Sequence, residues 1–452
     1  MDKRPSQTEE CKTMNLSFQA KWIVVLFGLS PLTQSWAQPS SGDVFREYRY
    51  ECTMDLGGTK PTCSAGSALR VGPCVEPFCT DKGTCHTCHD IRLANDVDLN
   101  HATRAEVVIE KVLCHDSTVG LRIQFNSNSW IPIPEAPGIP TPQSDYQHHI
   151  YPVVEVPLGH LQSGTNVFQM RVDHSGWWPQ NLINGVHLRI YYDPGQKAHA
   201  AGQISSPATG ATVGMSVDLT AEITAGTANK VEYIGYYDQV NWQGDGVYRQ
   251  WHYIYDHAKF IMHLGTSQSE PFRVSWDTSW VPDQSQPIKI RARITDSNNI
   301  TFVTDEVANL SLNRGGDYSV ELCKPYDIPI KWVTRKGDHT EKFDLTGNLA
   351  KAKAAQMVWC SWSPCYANGI LINGTQIVVK EGDWPCYHTF HHRYDFADVG
   401  MLKSGTNTLT TKLIPGGGKH GMEVNFPGIM LLVQYGEPGA VISPSILLLL
   451  LQ

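Results

Sequence analysis

Two stretches of this chain, about 245 residues apart, carry the same landmarks in the same order. The first reads Asp98-Leu99, Cys114, His148-His149-Ile150-Tyr151, Leu161-Gln162-Ser163-Gly164-Thr165-Asn166, then Gly185-Val186-His187-Leu188-Arg189-Ile190-Tyr191-Tyr192. The second reads Asp344-Leu345, Cys360, His391-His392-Arg393-Tyr394, Leu402-Lys403-Ser404-Gly405-Thr406-Asn407, then Gly428-Ile429-Met430-Leu431-Leu432-Val433-Gln434-Tyr435. Five ordered matches with so little drift identify one domain present twice. Long helical periodicity is nearly absent. Short alternating or wholly apolar runs recur instead, at 107–113, 120–125, 153–156, 167–172 and 186–192, bounded by Gly, Pro, Asn and Asp. That pattern predicts an all-β chain, with the Pro-rich stretch 131–142 as a loop.

The shared ending of the two copies resembles galactose-binding-like jelly-roll domains, in which a Leu-x-Ser-Gly-Thr-Asn turn precedes a strand and an apolar strand closes the sandwich. The resemblance covers about 100 residues per copy and is architectural. The intervening segment opens at Ser205-Ser206-Pro207 and ends with Phe272-Arg273-Val274-Ser275-Trp276 and Ile288-Lys289-Ile290-Arg291-Ala292-Arg293-Ile294-Thr295-Asp296. It is similar to immunoglobulin-like modules of secreted carbohydrate-active proteins, without the antibody cysteine pair. The expected fold is therefore a multidomain β-sandwich of two jelly-roll-like domains and one Ig-like domain, with a Cys-rich N-terminal segment. Its expected boundaries are 1–37 signal region, 38–95 Cys-rich segment, 96–196 first jelly roll, 197–315 Ig-like domain, 316–437 second jelly roll and 438–452 apolar tail.

The apolar stretch 22–32 follows Lys21 and precedes Ser35 and Ala37, the pattern of an export signal cleaved before Gln38; it is too short to span a bilayer. Cysteine usage agrees with export, because most of the 12 cysteines fall in two clusters suited to disulfides. Cys52, Cys63, Cys74, Cys79, Cys85, Cys88 and Cys114 form the first, which leaves one sulfur over for self-association; Cys323, Cys360, Cys365 and Cys386 form the second, with room for two bridges. Asn299, Asn309 and Asn373 open Asn-x-Ser/Thr triplets for glycosylation. The run 446–451 behind small residues has the shape of a lipid-anchor signal, although shorter than usual. Charged residues are only 18%, the net charge is −8 and no Lys/Arg run occurs, which argues against nucleic acid or anionic lipid as partner.

Several residue groups could carry chemistry. Cys85-His86-Thr87-Cys88-His89 matches the haem-attachment pattern, but its cysteines sit among others that make disulfides the ordinary alternative. Neighbours on a strand face opposite ways, so His148-His149 and His391-His392 should each place one ring inside and one outside. One histidine per copy, joined by Cys-, Asp- or His-bearing loops such as those of His174 or His420, could still build a copper or zinc site. Asp96, Asp98 and Asn100 alternate oxygen ligands suited to a structural calcium, the single cofactor expected if any is present. Aromatic rings stack on sugars, which singles out Trp130, Trp177, Trp178, Trp362 and Trp384, and in the middle module Trp242 and Trp251 around Asp238, Asn241 and Asp245. No nucleophile elbow, Walker loop, dinucleotide fingerprint or zincin motif occurs.

The leading expectation is thus a secreted or surface-attached binding or adhesion protein whose partner is an extracellular glycan or glycoprotein. An extracellular metal- or haem-dependent redox protein or enzyme is the first alternative, and a matrix or filament protein the second.

Overall fold

The computed structural model describes residues 38–51, 68–75, 88–113, 115–173, 180–257, 259–378, 384–413 and 420–439. The export signal, the apolar tail beyond Gly439, and Cys52, Cys63, Cys79, Cys85, Cys114, His174, Trp177 and Trp178 lie outside them. Among the described residues there is no α-helix, and no helix is long and apolar enough to cross a membrane.

The repeat is a repeat of strand order. In the first half, strands Val44–Glu51, Asn181–Tyr192, Ala102–Leu113 and His148–Ile150 lie side by side; in the second, Ser319–Cys323, Met430–Tyr435, Ala352–Trp362 and Thr389–Phe396 do the same. The facing sheets also agree: Ile91–Val97, Gly164–Asp173, Val119–Phe125 and Ile131–Pro132 in one, His339–Leu345, Gly405–Thr411, Ile370–Ile372 and Thr375–Val378 in the other. Each pair of sheets encloses its own apolar core, around Val107, Ile109 and Phe168 in the first half and Met357, Trp359 and Leu431 in the second. Between them a third sandwich is built on Leu219, Tyr233, Trp276 and Ile290.

The Ser-Gly-Thr-Asn turn shows why both copies keep it. Asn166 accepts from the Gln162 amide (3.1 Å) and returns a bond to the Gln162 carbonyl (2.7 Å); Asn407 does the same with Lys403, at 2.8 and 2.7 Å. Each also receives a bond from a second asparagine, Asn126 in one half (2.7 Å) and Asn373 in the other (2.8 Å). The Asn373 amide donates to Met401 as well (2.8 Å), so both its hydrogens are used and a glycan there would displace one of them. Asn299 and Asn309 are exposed.

Val44–Glu51 and Leu69–Val71 both pair with Asn181–Tyr192, and Val44–Glu51 also pairs with Ile300–Val303, joining the first sandwich to the middle one. Leu188 lies opposite Val107 and Leu431 opposite Met357, which sets Cys360 against Glu110, whereas on the other side Cys360 pairs with His391 and Leu113 with His148, so the two copies do not share one register across this strand. Among the described residues the bridges are Cys74–Cys88 and Cys365–Cys386, while Cys323 and Cys360 are free thiols, so the second cluster closes one bridge and not two. Cys323 enters the second core beside Leu431, whereas Cys360 lies on the opposite face of the same sheet, so these two sulfurs cannot meet.

A strand with one wet face would alternate in burial. Instead Ala105–Leu113 is buried throughout, as is all of Asn181–Tyr192. Val107 and Ile109 fill the sandwich, and Val108 on the outer face packs with Tyr151, Trp242, Ile254 and Tyr255 and with Val358 and Met430 of the second half. The middle segment thus covers the outer faces of both repeated sheets. Gly244, at φ 67°, makes this approach feasible: a Cβ there would lie 2.1 Å from the His149 carbonyl oxygen. Charges buried along the same seam are paired: Glu47 receives Arg189 (3.0 Å), Arg293 (3.1 Å) and the Tyr255 hydroxyl (2.6 Å). Burial alone would raise the Glu47 pKa, but Arg293, Arg49 and Arg189 hold it well below the usual range.

Candidate metal centre

On the outer faces the seam also brings together side chains from three distant parts of the chain. Glu110 comes from Ala102–Leu113, His149 from His148–Ile150, Asp256 and His257 from the hairpin beginning Ile254–Asp256, Cys360 from Ala352–Trp362 and His391 from Thr389–Phe396. Cys360 and His391 are cross-strand partners and share a face. Nitrogen and sulfur donors of His149, Cys360 and His391 all lie within 4.8 Å of one another.

The orientation of His149 is fixed. Its Nε2 lies 3.2 Å from Glu110 Oε1, and since a carboxylate can only accept, Nε2 carries the proton. The other nitrogen, Nδ1, is then bare and sits 3.7 Å from Cys360 Sγ. Glu110 is itself clamped, accepting from Asn184 Nδ2 and from the His257 amide, each at 3.1 Å. A histidine whose rear N–H is held by a carboxylate while its front nitrogen faces other donors is the arrangement characteristic of metal ligands. His391 Nε2 is buried without a hydrogen-bond partner, and its ring meets His149 and the edge of Trp242, with centroids 5.4 and 5.5 Å away. Burial, reinforced by the neighbouring His149 and His257, pushes the His391 pKa down to about 3, so the ring is neutral and able to ligate. Burial also pushes the Cys360 thiol up; Asn425 donates to the sulfur at 3.4 Å. Although burial opposes it, the bond from His257 (3.1 Å) and the nearby imidazoles hold Asp256 below the ordinary aspartate value.

Each histidine pair splits across its sheet. His391 faces the seam, while His392 enters the second sandwich and stacks on Trp359 at 4.2 Å, with Nε2 bonded to Ser361 (2.8 Å). His149 is in the centre; His148 is buried, and burial, reinforced by Lys111, drives its pKa well below the usual value. His420 stacks on Tyr366 instead.

Other candidate groups are not brought together as ligands. The Cys88 sulfur is bonded to Cys74 and cannot form a haem thioether; Cys85 lies outside the described residues and His89 is exposed. Asp96 is paired with Arg46 and Asp98 with Lys197, and Asp98 also accepts from the Asn100 amide (2.8 Å). Trp242 and Trp362 are core residues, 5% and 8% exposed. Trp130 lies under Arg171 and Trp251 under Arg291, at 4.5 and 4.4 Å, and Trp384 is half-buried against His392. Asn241 and Asp245 are buried and bond each other at 2.7 Å. Glu110, Asp256 and His257 were not visible as site residues in sequence, since none belongs to a motif.

No family model matches the chain, and no curated protein sequence does. Among solved structures, similarity is found to the protein of a crystal structure in complex with neoagarooctaose, at 12% identity over 52% of this chain and 33% of that one, with a TM-score of 0.21. The glycoside hydrolase domain of Endo-D from Streptococcus pneumoniae R6 is similar at 9% identity, 48% and 30% coverage and a TM-score of 0.23. A DUF4785 family protein from Legionella pneumophila is similar at 9% identity, 88% and 85% coverage and a TM-score of 0.22. The chain spans about a third of the first two, and superpositions this loose carry no functional argument.

Proposed function

We propose that this is an extracellular protein that holds a borderline first-row transition-metal ion, zinc or copper, at His149 Nδ1, Cys360 Sγ and His391. The observation that carries the reading is the Glu110–His149 contact, which leaves the ligating nitrogen of His149 facing an unpaired sulfur. Thiolate and imidazole suit zinc and copper and do not suit calcium. Bonds of about 2.0–2.3 Å would set the donors about 3.5 Å apart, so small side-chain rotations close the site on an ion. The disulfides Cys74–Cys88 and Cys365–Cys386 favour an oxidising compartment, where a thiol kept free is consistent with a ligand. Metal analysis of secreted protein tests the reading: one thiolate-bound equivalent is expected, and a Cys360→Ser protein with unchanged metal content would refute it.

Glycan recognition is a second reading, favoured by a cleft of about 600 Å³ lined by polar groups including Asp238, Asp317, Glu321, Thr346, Asn348 and Lys351. Carboxylates, an amide and hydroxyls suit a polyhydroxylated ligand. A glycan array followed by Asn348→Ala tests it; binding that survives this change unaltered would place the glycan elsewhere.

A further inference from the structure

Resting on the metal reading above, we propose that a second divalent cation binds beside the first, held by Glu110, Asp256 and His257, so that the His149 ring stands between two cations. One donor atom from each of these three residues lies within 4.8 Å of the others. They come from a strand of the first sandwich and from the hairpin that covers it, and so meet only when the seam is closed.

The charge of the pocket favours a cation. Glu110 is 0% exposed, and among the described residues its only ion-pair partner is His149; its other contacts, Asn184 and the His257 amide, are neutral. Asp256 likewise has only His257 as its ion-pair partner among the described residues. Elsewhere on the same seam a buried carboxylate is treated differently, because Glu47 is ringed by Arg49, Arg189 and Arg293. Two neighbouring carboxylates without lysine or arginine, Glu110 fully buried and the Asp256 side chain 35% exposed, favour a cation between them. A dication at the His149–Cys360–His391 set leaves one positive charge after the Cys360 thiolate, which cannot offset both Glu110 and Asp256.

The two donor sets also differ in kind. Nitrogen and sulfur donors form the first, and two carboxylates with one imidazole form the second, which suits a harder ion such as zinc or manganese. Glu110 can serve both at once. Oε1 orients His149, and Oε2, which receives the His257 amide at 3.1 Å, lies on the Asp256 and His257 side.

The test uses the full secreted chain, stripped with a chelator and titrated with Zn²⁺, with Co²⁺ as a spectroscopic probe. Two equivalents of zinc are expected, and only one should give a thiolate-to-cobalt charge-transfer band. Asp256→Asn combined with His257→Gln should keep the band and lose one equivalent; Cys360→Ser should lose the band and keep the other equivalent. A wild-type count of one, lost with Cys360→Ser and indifferent to the double substitution, overturns the second site and leaves the first standing. A count of one without any thiolate band overturns both. The wild-type count and band are decisive even if a variant misfolds, which near-ultraviolet circular dichroism would reveal.

Discussion

Replacing Glu110 by Gln should weaken the thiolate-bearing site without removing any of its ligands. The carboxylate accepts on both oxygens: Oε1 from His149 Nε2 (3.2 Å) and Asn184 Nδ2 (3.1 Å), Oε2 from the His257 amide (3.1 Å). A glutamine of the same shape must turn its NH₂ toward one of these donors. Facing His257, it sets two donors against each other in a fully buried place, at a cost of about 1–3 kcal/mol of folding stability. Facing His149, it drives that ring to the other tautomer, which puts the proton on Nδ1, the nitrogen aimed at Cys360. In either orientation the negative charge behind the ring is gone, and loss of such an orienting partner typically weakens metal binding by about 10–100-fold. Competition with a chromophoric chelator, read on the thiolate–cobalt band, measures this directly. The assay should show that loss with the band shape retained, because both ligand identities survive. An affinity within about twofold of wild type, in a protein shown to be folded, would refute the idea that Glu110 sets the tautomer of His149.

Glu47→Gln should leave Arg189 with Glu106 and Arg293 with Glu232 as their remaining counter-charges and, by the loss of charge-assisted hydrogen bonds, lower stability by about 1.5–3 kcal/mol in thermal or urea unfolding. The folded pKa of Glu47 is depressed, so its contribution is present at neutral pH and is lost as pH falls below the ordinary carboxylate range; the glutamine protein should lack that acid limb. Glu423 behaves oppositely: burial raises its pKa to about 8 against the pull of Arg335 and Lys336. Its folded form binds the proton more tightly than the unfolded chain, so stability should fall between about pH 4.5 and 8, and Glu423→Gln should flatten that slope in urea midpoints. Asn166→Ala and Asn407→Ala each delete a fully buried amide with several bonds, and each should cost about 2–4 kcal/mol. Very unequal losses would show that the two turns are not equivalent.

The β-architecture was legible because the signals that encode it are local. Alternation over residues such as Val107–Leu113, turn residues between the runs and the matched Leu-x-Ser-Gly-Thr-Asn turns all report on neighbours within a few positions. The repeat fails as a guide where a loop changes length between the copies. Pairing with the closing strand sets Cys360 against Glu110, whereas pairing with the histidine strand sets it against Leu113, so the two copies differ in register within this strand. The pairing of the N-terminal residues was not legible for a related reason. Strand Val44–Glu51 pairs with residues far along the chain, at 185–192 and 300–302, and nothing within the strand announces those partners.

The centre was only half legible, and the reason lies in how strands display side chains. Adjacent histidines must diverge, which correctly limits each copy to one ring on the outer face, but an outer face ordinarily meets water. What turns His149, Cys360 and His391 into one site is that the middle segment covers both outer faces, bringing Asp256, His257 and Trp242 over them. Burial of that face is also what separates Cys360 from Cys323, since the two sulfurs lie on opposite faces of their sheet and neither can finish as the other's disulfide. If the metal reading holds, the seam between the sandwiches should therefore be stabilised by the ion as well as by apolar packing. Zinc bound at 100 times its dissociation constant would add about 2.7 kcal/mol to unfolding of the whole seam, provided the unfolded chain does not bind it. A melting temperature unmoved by zinc, in protein shown by direct count to contain it, would mean that the ion sits somewhere other than this junction.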